Sequence, residues 1–338
     1  MTSDLRTRQI NTIRALALDA VKKANSGHTG TAMALAPLAD VLFTRVLKYD
    51  AAAPGWADRD RFILSAGHAS MLLYSMLYLT GYGISLDDIR SFRQWGSLTP
   101  GHPEAGLTPG VEVTTGPLGQ GLANAVGMAL AERHLRARLG SEIVDHRSWV
   151  ICGDGDLMEG VSHEAASLAG HQKLGRLVAV YDDNQITIDG STDLTFSDNT
   201  QQRFEAYGWH VRNLGEAAED TDLLESALVD AADIEDQPSL VIVRSHIGFP
   251  APNAMDTPGA HGAITDDDEI AAAKLAMGFD PQVDFRVDDD VLEAYREAGA
   301  RGAELHAEWK LRVAHSDLDV SWIDALLTGK PLPNWLDE

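Results

Sequence analysis

The residues able to do chemistry in this chain gather at one strand-to-helix turn and in four histidine loops. The turn runs Ser148-Trp-Val-Ile-Cys-Gly-Asp-Gly-Asp-Leu-Met-Glu-Gly160. An apolar run leads straight into Gly153-Asp154-Gly155, and the text that follows predicts a helix to about residue 168. Glycines at such a turn let the backbone approach a ligand closely, and the first N–H groups of the helix are free to meet an anion. A second apolar run, residues 177–181, ends in Asp182-Asp183-Asn184-Gln185-Ile186. If the two runs are parallel strands, both loops lie at the carboxyl edge of one sheet, where such sheets bind ligands. Asp154 and Asn184 then face one another across a shared site. A carboxylate, an amide oxygen and a backbone carbonyl are the hard donors that magnesium or calcium takes, with phosphate oxygens completing the shell.

Two other readings of this unit stay open at this point. Gly153, Gly155 and Gly160 give a poor match to a dinucleotide fingerprint, with Asp182 or Asp183 as its ribose-binding acid. An aspartate inside the glycine turn, however, repels a bare pyrophosphate unless a cation lies between them. The third reading is a tight turn with no ligand at all. The histidines His28, His68, His102 and His261 all sit beside glycine. Imidazole both donates and accepts protons near neutral pH, which suits them to acid–base work, although a loop histidine can equally be a surface residue. Zinc is disfavoured, because the chain has no His-Glu-x-x-His and a single cysteine, Cys152.

The elements that must position these groups follow from periodicity. Residues 4–24 carry Ile10, Ile13, Ala17, Ala20 and Val21 at helical spacing and stop at Asn25-Ser26-Gly27-His28-Thr29-Gly30. A second helix is expected over 37–47, with Pro37 in its first turn. Four short apolar runs, 61–65, 148–152, 177–181 and 240–243, read as buried strands separated by helices. That alternation predicts an α/β fold, a parallel sheet with helices on both faces. After about residue 265 only helices are expected, over 266–276, 288–313 and 322–327. The expected division is therefore an α/β domain over 1–265 and a helical linker or cap over 266–338, not a second α/β domain. The acidic run Asp266 to Glu269 reads as a helix's first turn, where negative charge suits the dipole. Gly121, Ala125 and Ala129 form a small-residue stripe at i, i+4 and i+8, which fits either packing within the fold or a subunit interface.

Composition narrows the partners. Of 338 residues, 51 are acidic against 27 basic, a formal charge of −24, so the chain repels nucleic acid and anionic membranes. A small anion is not excluded, since local donors and a metal can outweigh the global field. One cysteine allows no internal disulfide and suggests a reducing compartment. The polar N-terminus and the short apolar stretch at 71–79 predict neither a signal peptide nor a membrane span, and a soluble cytoplasmic protein is expected.

Gly153-Asp154-Gly155 with the downstream Asn184 resembles the signature of thiamine diphosphate enzymes. Ser26-Gly27-His28, Ser65-Ala66-Gly67-His68, Gly101-His102-Pro103-Glu104, Thr114-Thr115-Gly116-Pro117-Leu118-Gly119-Gln120-Gly121 and His261-Gly262 are similar to motifs of the transketolase family. The resemblance runs from about residue 4 to the end. It implies the thiamine diphosphate-binding fold, with Asp154, Asn184 and the Ile186 carbonyl holding Mg2+ (Ca2+ or Mn2+ would also suit) against the diphosphate. Gly155 would donate its N–H to phosphate, His68 and also His261 would reach the diphosphate, and Gly116 and Leu118 would line the ring portion. His28 and His261 would handle the developing alkoxide, and His102 would bond the terminal hydroxyl of the donor.

The implied activity is transfer of a two-carbon ketol unit from a ketose phosphate to an aldose phosphate. The family completes this site with a second domain, which brings an activating glutamate, aromatic residues bracketing the aminopyrimidine, and arginines and a serine for the sugar phosphate. A C-terminal transketolase subunit or a missing second domain is thus the expected partner, in a homo- or hetero-oligomer. The alternatives are an inactive regulatory or structural subunit, another thiamine diphosphate enzyme, and an NAD-dependent oxidoreductase. One departure stands out. The family usually reads Ser-Gly-His-Pro-Gly, and here Thr29 replaces the proline. Loss of a fixed φ is expected to loosen the His28 loop, so that turnover is slower than in a Thr29→Pro variant.

Overall fold

The computed structural model describes residues 3–316 and residue 325. In chain order the elements are α1 (Ser3–Ala24), α2 (Gly30–Ala34), α3 (Ala36–Val41), β1 (Arg61–Leu64), α4 (Ser70–Thr80), α5 (Leu86–Arg90), α6 (Gln120–Leu139) and β2 (Ser148–Gly153). There follow α7 (Asp154–Met158), α8 (Gly160–Gln172), β3 (Leu177–Asp183), α9 (Thr200–Ala206), β4 (His210–Asn213), α10 (Thr221–Ala232) and β5 (Ser239–Arg244). The chain then turns helical, through α11 (Pro258–His261), α12 (Asp267–Ala276), α13 (Asp289–Ala300) and α14 (Ala303–His315).

Among the described residues the strands form one parallel sheet in the order β1-β2-β3-β5-β4. Side chains alternate between its two faces. Trp149, Ile151, Val178, Val180, Val241 and Val243 pack into a core with α1, α3, α4, α10 and α13. Val150, Cys152, Leu177, Ala179, Leu240 and Ile242 pack into a second core under α6 and α8. Burial on both faces is why β2, β3 and β5 read as unbroken apolar runs. The stripe Gly121, Ala125, Ala129 is buried, and a Cβ on Gly121 would lie 2.5 Å from the Ser65 Cα. It serves packing of α6 onto the end of β1.

The β2–β3 register sets Gly153 beside Asp182. The two strands therefore release Asp154 and Asn184 at the same edge, as the sequence predicts. Of the described helices after residue 265, α13 joins the core on one face of the sheet through Val291 and Tyr295, which donates to Asp40 at 2.8 Å. Ile270 and Ala273 of α12 instead cluster apart from the sheet with Ala15 and Leu18 of α1, and Trp309 and Val313 of α14 with Trp56 and Ile143. Asp266 caps α12 by accepting from the Glu269 N–H at 2.9 Å, so the acidic run is a helix's first turn. No helix among the described residues is long and apolar enough to cross a membrane.

Four expectations need correction. β4, an edge strand with the polar, half-exposed sequence His-Val-Arg-Asn, carries no apolar run to betray it. The helix expected over 37–47 begins afresh at α3 after a break at Leu35, because Pro37 cannot continue the ladder of α2, and it ends as a π-helical turn, Leu42–Val46. The helix after the glycine turn is two helices, separated at Glu159, whose backbone is extended. The helix expected over 288–313 breaks at Arg301-Gly302, where Gly302 presses on the Tyr49 carbonyl so closely that a Cβ would fall 2.0 Å from the oxygen. The helix expected over 322–327 lies outside the described residues, residue 325 apart.

Candidate active site

At the carboxyl edge of the sheet a cleft of about 430 Å³ is lined by His28, His68, His102, Gly116, Leu118, Asp154, Gly155, Asn184, Ile186 and His261. These are all ten residues singled out from the sequence. Asp156, Asp182, Thr31, Met158 and Ile188 line it as well.

One side of the cleft is acidic. Asp154 opens α7 and is 5% exposed; its carboxylate accepts from the Tyr181 hydroxyl and from the Gln185 N–H at 3.1 Å. The second bond requires a sharp reversal, and Gln185 provides it with a left-handed φ of 64°. Burial above all, helped by Asp182 and Asp183 and opposed by the Tyr181 hydroxyl, pushes the Asp154 pKa up to about 7. Asn184 donates to Asp182 at 2.7 Å, and its amide oxygen accepts from the Ile186 N–H at 3.0 Å. Asp182 also accepts from the Ser245 hydroxyl, and burial raises its pKa to about 6.

Buried carboxylates crowded in this way gain from a cation. Among the described residues no three His, Cys, Asp or Glu side chains converge to hold a metal by themselves. The donor chemistry of Asp154, Asn184 and the Ile186 carbonyl therefore fits a magnesium-like ion whose shell is finished by phosphate oxygens. The backbone is shaped to match. A Cβ on Gly155 would lie 3.0 Å from Leu118 Cδ1, and one on Gly67 would lie 2.6 Å from the Thr115 hydroxyl.

Asp156 holds this side together, and the sequence reading missed it. Fully buried, it accepts from the Ser65 hydroxyl at 2.7 Å, the Gly119 N–H at 2.8 Å and the Gly153 N–H at 2.9 Å. One carboxylate thus ties the end of β1, the loop before α6 and the end of β2. A signal was present, since Asp156 stands at the third helical position after Gly153, where an acid reaches back to the cap N–H.

The other side is built of imidazoles. The rings of His28 and His68 lie 5.1 Å apart, His28 and His261 5.5 Å, and His68 and His261 4.9 Å. His102 sits across from them against Gly116, whose φ of 149° and missing side chain make room: a Cβ there would be 3.3 Å from the His102 ring. Its loop is pinned by the Tyr74 hydroxyl, which bonds the Pro100 and His102 carbonyls, each at 3.0 Å, and by Ser70, which bonds the Gly101 carbonyl at 2.9 Å. Burial, reinforced by neighbouring imidazoles, lowers the pKa of His28 to about 4 and of His68 to about 3; burial also lowers those of His102 and His261. All four are neutral at pH 7, each ring with one donor and one acceptor nitrogen. The Nδ1 atoms of His28 and His261 are buried and have no hydrogen-bond partner among the described residues. Arg93, also missed from the sequence, adds positive charge beside His28 and His102. Its φ of 60° folds it back so that it donates to Ser26.

Thr29, the residue from which a looser His28 loop is expected, is bonded at two points. Thr29 is fully buried; its N–H donates to the Gly262 carbonyl at 3.0 Å and its hydroxyl accepts from the Ile264 N–H at 3.3 Å.

A parallel α/β domain with an oxygen-donor pair at its sheet edge and an imidazole cluster opposite defines a diphosphate-binding domain of the thiamine diphosphate class. A family model described as "Transketolase, thiamine diphosphate binding domain" matches residues 5–328, and the chain belongs to that family. It is 50% identical over 315 residues to the transketolase of Mycobacterium tuberculosis, covering 91% of this chain and 45% of that protein. It is 48% identical over 344 residues to the transketolase of a Nostoc species, covering 99% and 51%. Among solved structures, transketolase from Pichia stipitis in complex with sedoheptulose-7-phosphate superposes with a TM-score of 0.93 at 42% identity, covering 98% of this chain and 50% of that one. The Campylobacter jejuni enzyme gives a TM-score of 0.91 at 41% identity, covering 96% and 51%. The chain thus spans about half the length of the curated relatives it matches.

Proposed function

We propose that this chain supplies the metal–diphosphate half of a transketolase-type site, which moves a two-carbon ketol unit from a ketose phosphate to an aldose phosphate. The observation that carries the reading is the convergence, in one cleft, of an acidic oxygen-donor side and a cluster of neutral imidazoles. Asp154, Asn184 and the Ile186 carbonyl hold the magnesium ion. The Gly155 N–H and His68, with His261 in reach, meet the diphosphate, and Gly116 and Leu118 line the ring portion. Bound there, thiamine diphosphate supplies the electron sink for breaking and making the carbon–carbon bond.

The chain's own residues do the rest of the work in this half. His28 and His261, neutral and lining the cleft, hold or pass a proton at the oxygen of the reacting carbonyl. His102 takes the terminal hydroxyl of the donor, and Arg93 offsets the acidic field of the chain where an anionic sugar enters. The solved complex of a relative, at a TM-score of 0.93, with sedoheptulose-7-phosphate supports that substrate class.

The glutamate that activates the aminopyrimidine comes, in this reading, from a second domain, carried by a C-terminal transketolase subunit or by further sequence of the same protein. Residues 1–265 then act as the diphosphate-binding domain and 266–338 as the helical linker toward that domain. The coverage of about half of each relative supports this division of labour. The test is two-carbon transfer with magnesium and thiamine diphosphate, by the chain alone and after addition of a co-purified C-terminal half. Turnover only in the mixture is expected. Turnover by the chain alone would place the activating glutamate within these residues and overturn the half-site reading.

A further inference from the structure

We infer that Thr29 is a positioning residue, a two-point clasp that holds the His28 loop against the His261 loop. The inference rests on the reading of His28 and His261 as the proton-handling pair. His28 is followed directly by Thr29 and His261 by Gly262, and these two following residues bond to each other, N–H to carbonyl, at 3.0 Å. The Thr29 hydroxyl adds a second bond two residues further along the facing strand of chain, from the Ile264 N–H at 3.3 Å. Around the clasp the backbones touch. The Gly248 N–H donates to the Gly30 carbonyl at 3.1 Å, and a Cβ on Gly30 would fall 2.3 Å from the Ala260 carbonyl oxygen. Two loops distant in sequence are thereby fixed with their imidazoles perpendicular and 5.5 Å apart.

Proline cannot take this role. It has no N–H to give Gly262 and no hydroxyl for Ile264, and its ring sets φ near −65°, whereas Thr29 sits at φ −100°, ψ −43°. Thr29→Pro would leave the Gly262 carbonyl and the N–H of the buried Ile264 without these partners and would strain the turn. Where a proline stiffens such a loop from within, this chain stiffens it from a neighbouring loop. The substitution that restores the family pattern is thus expected to separate the two histidines.

The test uses the full chain with isotope-labelled histidine and isoleucine, without cofactor or substrate. The wild-type protein should show a through-space NMR cross-peak between the His28 and His261 rings and a protected Ile264 amide. Thr29→Val keeps the shape and the N–H but loses the hydroxyl. It should speed Ile264 amide exchange about tenfold, with the Ile151 amide of β2 unchanged as internal control. Thr29→Ser should restore the wild-type rate. Thr29→Pro should lose the ring cross-peak while the His68 and His102 signals hold. A Thr29→Val protein with the wild-type Ile264 rate, or a folded Thr29→Pro protein that keeps the cross-peak, overturns the clasp. If Thr29→Pro does not fold, the Val and Ser pair decides. No readout involves thiamine diphosphate or turnover, so failure of the clasp leaves the proposed reaction standing, and the reverse holds too.

Discussion

The two sides of the cleft are built on opposite plans. On the sheet edge, Asp154, Asp156, Asp182 and Asn184 are buried and each is bonded within the protein, by Tyr181, Gln185, Ser65, Gly119, Gly153, Ser245 and one another. Across from them, His28 and His261 are held by the backbone of their loops, and each keeps a buried ring nitrogen with no partner among the described residues. The first plan fixes geometry in advance, as a metal ion with strict angular demands requires. The second leaves acceptor and donor capacity open, as proton transfer to a changing ligand requires. Order on one side and unmet bonding capacity on the other are both ways of preparing a site.

The largest expected effect breaks the acidic side at its centre. Asp154→Ala removes the proposed metal ligand and should weaken magnesium-dependent binding of thiamine diphosphate by more than about 100-fold, since even partners one shell further out are worth tens-fold. Calorimetry with the magnesium complex checks it. Undiminished binding would remove Asp154 from the metal site and with it the contrast between the two sides.

Asp156→Asn tests whether that side is held internally. The carboxylate serves three donors on three segments. An amide offers one acceptor oxygen, so at least one buried donor loses its partner, at about 2–3 kcal/mol for a bond to a charged group. The expected result is a lower urea midpoint with an unchanged slope. A midpoint equal to wild type would mean that the three loops keep their places without the carboxylate.

How much of this was legible in the sequence follows the same physics. The central strands announced themselves because both faces of the sheet are buried, and the glycine turn fixed where Asp154 would stand. The four histidine loops were visible by their glycines, and the parallel arrangement brought them together. What stayed hidden depends on partners distant in sequence. The three bonds of Asp156 reach 91 and 37 residues away to Ser65 and Gly119, and only the local one to Gly153 has a spacing rule. Thr29 was half legible for that reason: its local effect, loss of a fixed φ, could be read from the residue type, whereas its bonds to Gly262 and Ile264 could not. β4 escaped because an edge strand need not be apolar, and the break at Gly302 because the Tyr49 carbonyl that leaves no room for a side chain there lies far upstream.

The smallest expected effect sharpens the comparison through the sign of its pH dependence in the metal-free protein. The Asp154 pKa, about 7 against an ordinary 3.8, is raised by burial, so between these values the folded protein keeps a proton that the unfolded chain releases. Its contribution is present at low pH and is lost as pH rises toward 7. The His28 pKa, about 4 against 6.5, is lowered by burial and by the His261 imidazole, so in that window the unfolded chain binds the proton and the folded one does not. Its contribution is present above pH 6.5 and is lost as pH falls toward 4. The two sides of the cleft therefore tilt stability in opposite directions over the same range. Asp154→Asn should make stability rise more steeply from pH 4.5 to 7 than in the wild type, and His28→Gln should make it rise less. Each change should amount to roughly 1 kcal/mol across the window once solvent screening is allowed for. Urea unfolding at four or five pH values measures both slopes. Two variants shifting the slope the same way would mean that burial acts alike on both sides, and that the division into an ordered acidic wall and an open imidazole wall is not an energetic one.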